Sequence, residues 1–274
     1  MSVAVFVLST GRCGTQWLAR FLQLNLGDAA TVTHEPLHSA WSPREMLAAR
    51  TPDRLEEQLR EPIDEHLESI REVLLQRMYV ECGHPVWSAV PFLIEAFAPH
   101  VRVIHLIRHP VPTAWSWLTH RAFSRPLLPH LGEKVLLSPF DGGVQFPEYR
   151  DRWASMSPFE KALYYWLEVN AFAQRVQPTG GSGWLTLSFE EMFREDSRRR
   201  VLSFLDPSST GREPLDPGYV DELHSVSEHE VDPGEIERHP AVMRLAAEFG
   251  FDPLRFDAER LRGRYTRFKS RSLT

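Results

Sequence analysis

The sequence predicts an α/β fold in three layers, with a central parallel β-sheet of about five strands flanked by helices. Short apolar runs rich in β-branched residues recur at 3–8, 29–33, 79–83, 101–107 and 184–189, and stretches of helical periodicity separate them. Strands separated by helices run parallel, and strands that read as continuous apolar runs are covered on both faces. The chain has 274 residues, enough to bury a real core as one large domain or two small ones, and neither an internal repeat nor a low-complexity segment interrupts it.

The first strand is Val3-Ala4-Val5-Phe6-Val7-Leu8, which breaks at Ser9-Thr10-Gly11-Arg12-Cys13-Gly14 and passes into helical spacing at Leu18, Phe21 and Leu22. Gly11 and Gly14 allow backbone N–H groups to converge on an anion. The positive end of the new helix dipole lies behind them, and Arg12 adds a cation. Two glycines alone also suit a tight βα turn that binds nothing.

The second strand, at 29–33, runs into His34-Glu35-Pro36-Leu37-His38. Proline steers the residue before it away from helical geometry, so Glu35 is expected in an extended segment at the C-terminal edge of the strand. Open sheets bind ligands at that edge. A solvated loop carboxylate is the plainer local reading.

Residues 43–76 read as two amphipathic helices broken near Pro62, with a charged, solvated outer face. The third strand, 79–83, is followed by a helix over 88–98. Val101-Arg102-Val103-Ile104-His105-Leu106-Ile107 is the clearest strand, and Arg108-His109-Pro110 leads into a helix reaching Arg121. Arg108 is thus a second cation at the ligand-binding edge. Ser116, eight residues on, lies two turns into the helix and can face a group bound beside the strand end.

Residues 122–157 are irregular and rich in aromatics, Pro and Gly, a pattern that suits a loop covering a second substrate. Trp41, Phe140, Phe146, Tyr149 and Trp153 are candidate stacking surfaces. Ser157-Pro158-Phe159-Glu160 has the form of a capping box opening a helix to Val176, and 180–183 form a turn. The last strand is Trp184–Phe189. Helices through Phe193, 201–205 and 241–249 follow, then a basic tail at 260–274.

The net charge of −6 offers no global basic field for nucleic acid, so any anion site is local. Two cysteines, Cys13 and Cys82, form neither a zinc cluster nor a disulfide framework, and Cys13 reads as a small loop residue. No apolar run is long enough to span a bilayer, and the chain starts on a strand pattern without a secretory leader. A cytoplasmic protein is the expectation.

Two cation-bearing strand ends suit a ligand with phosphates at two places. A P-loop nucleoside triphosphate enzyme needs Gly-x4-Gly-Lys followed by Ser or Thr, and no Lys follows Gly14. Arg108 stands where a magnesium-holding Asp is expected. Magnesium-dependent phosphoryl transfer is disfavoured.

Phe6 to Leu18 resembles the 5′-phosphosulfate loop of the sulfotransferase family, and Val103 to Ser116 resembles that family's 3′-phosphate element, in the expected order and separation. Lys161 to Asn170 is similar to the family's Trp-x3-Asn helix, and Leu187-Ser188-Phe189-Glu190-Glu191-Met192 to its Tyr-Glu-Asp-Leu strand end. The resemblance covers residues 3–205. It implies a P-loop nucleoside triphosphate hydrolase-like fold, one domain over 1–274, and transfer of a sulfonate from 3′-phosphoadenosine 5′-phosphosulfate (PAPS) to a hydroxyl or amine. The acceptor is a small molecule or carbohydrate, the product 3′,5′-adenosine bisphosphate, and no metal is expected.

Carried over by position, Arg12 meets the leaving oxygen, and Cys13, Gly14, Thr15 and Gln16 surround the 5′-phosphate. Trp17 lies near the adenine. Arg108 and Ser116 hold the 3′-phosphate, and Phe189 stands where the family usually has Tyr, keeping the stacking. Glu-Pro-Leu at 35–37 looks like the Phe-Glu-Pro-Leu of carbohydrate members, which favours Glu35 over His34 as catalytic base. The family's C-terminal Arg-Lys-Gly loop has no clear counterpart, Arg267 or Lys269 being candidates. A P-loop nucleotide kinase and a non-catalytic nucleotide-binding protein are the alternatives. Acceptor identity and oligomeric state, a homodimer included, stay open.

Overall fold

The structure, a computed structural model, describes residues 2–124, 131–209, 211, 213–220, 226–227 and 231–266. Five parallel strands form one sheet in the order β2-β3-β1-β4-β5. They are β1 (Ala4–Leu8), β2 (Ala30–His34), β3 (Met78–Cys82), β4 (Val101–Ile107) and β5 (Trp184–Ser188). The register pairs Leu8 with His105, Val7 with Cys82 and His34 with Cys82, so the C-terminal ends of the four strands β1 to β4 lie close together.

Every residue of β1 is buried, and the pleat sends alternate side chains to opposite faces. Val5 and Val7, with Val80, Cys82, Ile104, Leu106 and Leu187, pack under α1 (Thr15–Leu26) and α7 (Glu195–Leu205). Ala4, Phe6 and Tyr79 face α3 (Glu57–Leu74) and α4 (Val90–Phe97) on the other side. Leu8, Val103 and Ile107 meet α5 (Pro110–Leu118) and α6 (Pro158–Gly180) there. Both faces are covered, which gives the expected three layers. No helix among the described residues is long and apolar enough to cross a membrane.

Several boundaries differ from the expectation. The 43–76 stretch breaks at 50–56, not at Pro62: α2 (Pro43–Ala49) is closed by Arg50 at φ 70°, and Pro62 sits inside α3. Pro62 lies near the N-terminus of α3, and Ile63, Leu67, Ile70 and Leu74 bury one continuous stripe that holds the helix together. The segment after β3 opens with a 3-10 turn, His84–Ala89, before α4 begins. The first part of the basic tail is helical: α9 (Ala258–Tyr265) is capped by Asp257, whose carboxylate accepts from the Arg260 N–H. Residues 267–274, with Arg267 and Lys269, and residues 125–130 of the 122–157 stretch lie outside the described residues.

The described parts of 122–157 are fastened down. Arg44 of α2 grips Asp141 with two nitrogens, Nε at 2.8 Å and Nη2 at 3.1 Å, a forked arrangement suited to carboxylate. The buried Glu168 carboxylate of α6 accepts the backbone N–H groups of Gln145 and Phe146. Two of the expected stacking surfaces are core groups: Trp41 is buried with its indole N–H on Glu81, and Tyr149 stacks on His239.

Candidate active site

In this strand order the connection after β1 leaves toward β2 and the one after β4 leaves toward β5, in opposite directions. A crevice opens at such a switch point. Its two walls are the segments 9–14 and 108–109.

The glycine loop departs from ordinary backbone at three residues, Gly11 (φ 71°), Arg12 (φ 60°) and Gly14 (φ 88°). A Cβ at Gly11 would lie 2.8 Å from His84 Cγ and 2.9 Å from Trp117 Cζ2. One at Gly14 would lie 2.7 Å from Met192 Cε and 3.0 Å from the Phe189 ring. Both glycines are therefore required by space as well as by φ. The Gly11 N–H donates to Ser9 Oγ at 3.1 Å, and the Trp117 indole N–H donates to Thr10 O at 3.1 Å. Cys13 is fully buried, with its thiol donating to Gly11 O. Burial pushes that thiol up to about 11, so it stays protonated and acts as a loop strut.

Helix α1 begins at Thr15 with neither a side-chain cap nor an acidic residue in its first turn. Its leading N–H groups and the positive end of its dipole face the crevice mouth.

Arg12 and Arg108 meet across the crevice. Arg12 Nε donates to Ser116 Oγ at 3.0 Å, linking the loop after β1 to the helix after β4. Arg108 Nη1 donates to the Arg12 carbonyl at 3.0 Å, and Nη2 to the Tyr265 hydroxyl at 3.2 Å. The Arg108 guanidinium lies 4.3 Å from the centre of the Phe189 ring, a cation–π seat that fixes its plane. Its Nε is buried without a partner among the described residues. Burial lowers the Arg12 pKa, and the neighbouring Arg108 adds to that. Among the described residues neither guanidinium is in a salt bridge, and the carboxylates that act on them, Glu35 on Arg12 and Glu190 on Arg108, do so through charge alone.

On the other side of β1, His34 Nε2 lies 3.1 Å from Thr15 Oγ1, and Glu35 Oε1 accepts from His84 Nδ1 at 3.0 Å. Glu35 is not extended: φ is 50°. Its N–H donates to Cys82 O and its carbonyl accepts from the His38 N–H, so a turn over Gly83 overrides the local preference that Pro36 imposes. Burial works to raise the Glu35 pKa, but the hydrogen bond and charge of His84, with His34 adding to them, bring the carboxyl down to about 2. It is ionised throughout the neutral range.

A family model of the sulfotransferase domain matches residues 3–218. The chain belongs to the sulfotransferase family. Solved structures of similar fold include the sulfotransferase domain from the Synechococcus PCC 7002 olefin synthase, at TM-score 0.50 and 17% identity over 92% of this chain and 95% of that one. The sulfotransferase domain from the curacin biosynthetic pathway gives 0.49 and 15%, over 96% and 97%. A sulfotransferase from Alicyclobacillus acidocaldarius gives 0.49 and 18%, over 96% and 99%. At 17% identity the first of these shows a likeness of fold alone. No significant match to a curated protein sequence was found.

Within this sulfotransferase the crevice gathers Arg12, Arg108, Ser116 and Phe189 into one contact network, with Cys13 and Gly14 in the loop behind. Thr15 joins it to His34. Trp17 stacks on Phe21 at 5.3 Å, donates its N–H to Gly218 O, and meets Phe193 edge-on at 5.0 Å, which in turn meets Phe189 of that network at 5.1 Å. The sequence reading missed two groups. His84 could have been found, because Gly83-His84-Pro85 repeats at the end of β3 the polar-residue-before-proline pattern of Glu35-Pro36. Tyr265 had no signal, lying in a stretch that read only as basic.

Proposed function

We propose that this sulfotransferase uses PAPS as donor and passes its sulfonate by in-line displacement to a hydroxyl, or an amine, of a small-molecule or carbohydrate acceptor. The observation that carries the reading is the meeting of Arg12, Arg108 and Ser116 in one crevice, where phosphates of a single nucleotide can reach a loop and a second strand end together. The residues fit such a ligand in two ways: helix α1 opens uncapped, and Arg108 Nε is buried without a partner among the described residues.

When bound, the donor supplies an activated sulfonate on a phosphate leaving group. Gly14, Thr15 and Gln16 hold the 5′-phosphate at the start of α1. Arg12 answers the charge that develops on the leaving oxygen, a task for which preorganised cations and N–H groups suffice without a metal. Arg108, seated on Phe189, and Ser116 hold the 3′-phosphate. Glu35 takes the acceptor proton on a carboxylate oxygen, and His84 orients it through Nδ1. The Glu35 side chain is 25% exposed, whereas His84 Nε2 is buried, so the carboxylate is the acceptor-facing member of the pair. His34, tied to Thr15, belongs to the phosphate side.

The test is a thermal-shift comparison of 3′,5′-adenosine bisphosphate with ATP–Mg, followed by transfer of labelled sulfonate from PAPS to a panel of alcohols, phenols, amines and sugars. Stabilisation by the bisphosphate and labelled product are expected. Stabilisation by ATP–Mg alone overturns the reading in favour of a kinase, and bisphosphate binding without transfer to any acceptor favours a binding protein.

A further inference from the structure

One more polar group reaches the Arg108 station, from the far end of the chain. Tyr265, the last residue of α9, is 1% exposed. Its ring tilts against Trp115 of α5 at 6.4 Å, and its carbonyl accepts the Ser227 N–H at 2.7 Å, so the end of the helix is held on the core. The hydroxyl oxygen accepts from Arg108 Nη2 at 3.2 Å. Arg12, whose Nε donates to Ser116 Oγ at 3.0 Å, is near enough to feel the charge of this hydroxyl.

A phenol has two lone pairs and one O–H. With the oxygen receiving a bond from Arg108, the O–H is left to donate onward, beside two guanidinium groups. Burial works to raise the pKa of this phenol, but the charge and hydrogen bond of Arg108, with Arg264 adding to them, outweigh it and the net shift is downward. The more acidic a phenol, the stronger a donor it is toward an anion.

We propose that Tyr265 is a third binding group for the donor's 3′-phosphate, donating its O–H to a phosphate oxygen beside Arg108 and Ser116. The C-terminal helix α9 is then part of the nucleotide site. This rests on the PAPS reading given above.

The test is calorimetric titration of the full chain, its Tyr265→Phe variant and an Arg108→Ala variant with 3′,5′-adenosine bisphosphate and, separately, with adenosine 5′-monophosphate. Phenylalanine keeps the ring on Trp115 and removes only the hydroxyl. Loss of one hydrogen bond to a charged phosphate weakens bisphosphate binding about tenfold or more. Monophosphate binding stays within about twofold and reports that the variant is folded. Equal weakening for both nucleotides, or no weakening for either, overturns the assignment of Tyr265, while the donor reading stands if the unmodified chain prefers the bisphosphate and Arg108→Ala loses that preference. If the unmodified chain does not prefer the bisphosphate, the donor reading itself falls, and the role of Tyr265 with it.

Discussion

Replacing Glu35 by Gln separates chemistry from architecture at this site. The glutamine carbonyl can still accept from His84 Nδ1, now 3.0 Å from Glu35 Oε1, and no bond between Glu35 and the two arginines exists to be lost. What disappears is a carboxylate held at about 2, ionised at neutral pH but a weak base. A positioned general base contributes on the order of 10²–10⁴ in rate and a weak one the lower end of that range, so kcat for sulfonate transfer falls by about 10² while the Kd for 3′,5′-adenosine bisphosphate stays within about twofold. Stability supplies a second readout. The folded carboxyl sits below its ordinary value of 4.5, so its contribution is present above about pH 4.5 and is lost as pH falls toward 2. Its size is at most on the order of 3 kcal/mol, reduced by the partial exposure of the side chain. The variant therefore melts somewhat lower at neutral pH and loses part of the acid-limb dependence between pH 4.5 and 2. Single-turnover transfer from labelled PAPS, with titration calorimetry alongside, measures both halves. A kcat within a few-fold of the parent, or a loss of nucleotide affinity as large as the loss of turnover, refutes the assignment.

Three further outcomes are expected. Arg12→Ala lowers kcat by about 10²–10³, the usual cost of removing one preorganised electrostatic contact to a developing charge, and also loosens Ser116; unchanged turnover in a steady-state assay would contradict the role. Gly14→Ala forces a Cβ onto φ 88° and against Met192 and the Phe189 ring. Met192 can swing aside, but Phe189 carries Arg108, so chemical denaturation should show a loss of about 1–3 kcal/mol together with weaker bisphosphate binding. Burial lowers the pKa of both His105 and His239 to about 4. The unfolded chain takes up those protons first, so stability falls as pH drops from 6.5 to about 4. His105→Gln, which does not titrate, should visibly flatten the dependence of Tm on pH over that interval, the loss for one such histidine being on the order of 3 kcal/mol.

The strands were legible because burial on both faces leaves a short apolar run that no surface helix shares, unbroken in 4–8 and interrupted in 101–107 only by Arg102 and His105. The glycine loop and Arg108 were legible because each is local to a strand end. Pro62 misled because a proline near a helix N-terminus reads like one that breaks a helix, and the stripe that holds α3 together appears only once the core is assembled. Glu35 was found as a residue but not as a conformation, since its turn is fixed by Cys82, a neighbour in the sheet. His84 had a local signal in Gly83-His84-Pro85, but its pairing with Glu35 and that of Tyr265 with Arg108 did not: these bonds join residues 49 and 157 positions apart, and no window on the sequence holds both ends.

Trp117 adds a constraint of its own. This one indole donates to the loop carbonyl of Thr10, stands edge-on to His84 at 5.3 Å and to Tyr165 at 5.7 Å, and occupies the space that a side chain at Gly11 would need. In the proposed reaction, the span between the leaving oxygen and the Glu35 carboxylate is gauged by a rigid bicyclic ring and not by loop slack. Variation that widens the range of acceptors has to work through walls that do not touch this ring, because any change that moves it shifts both ends of the reaction at once.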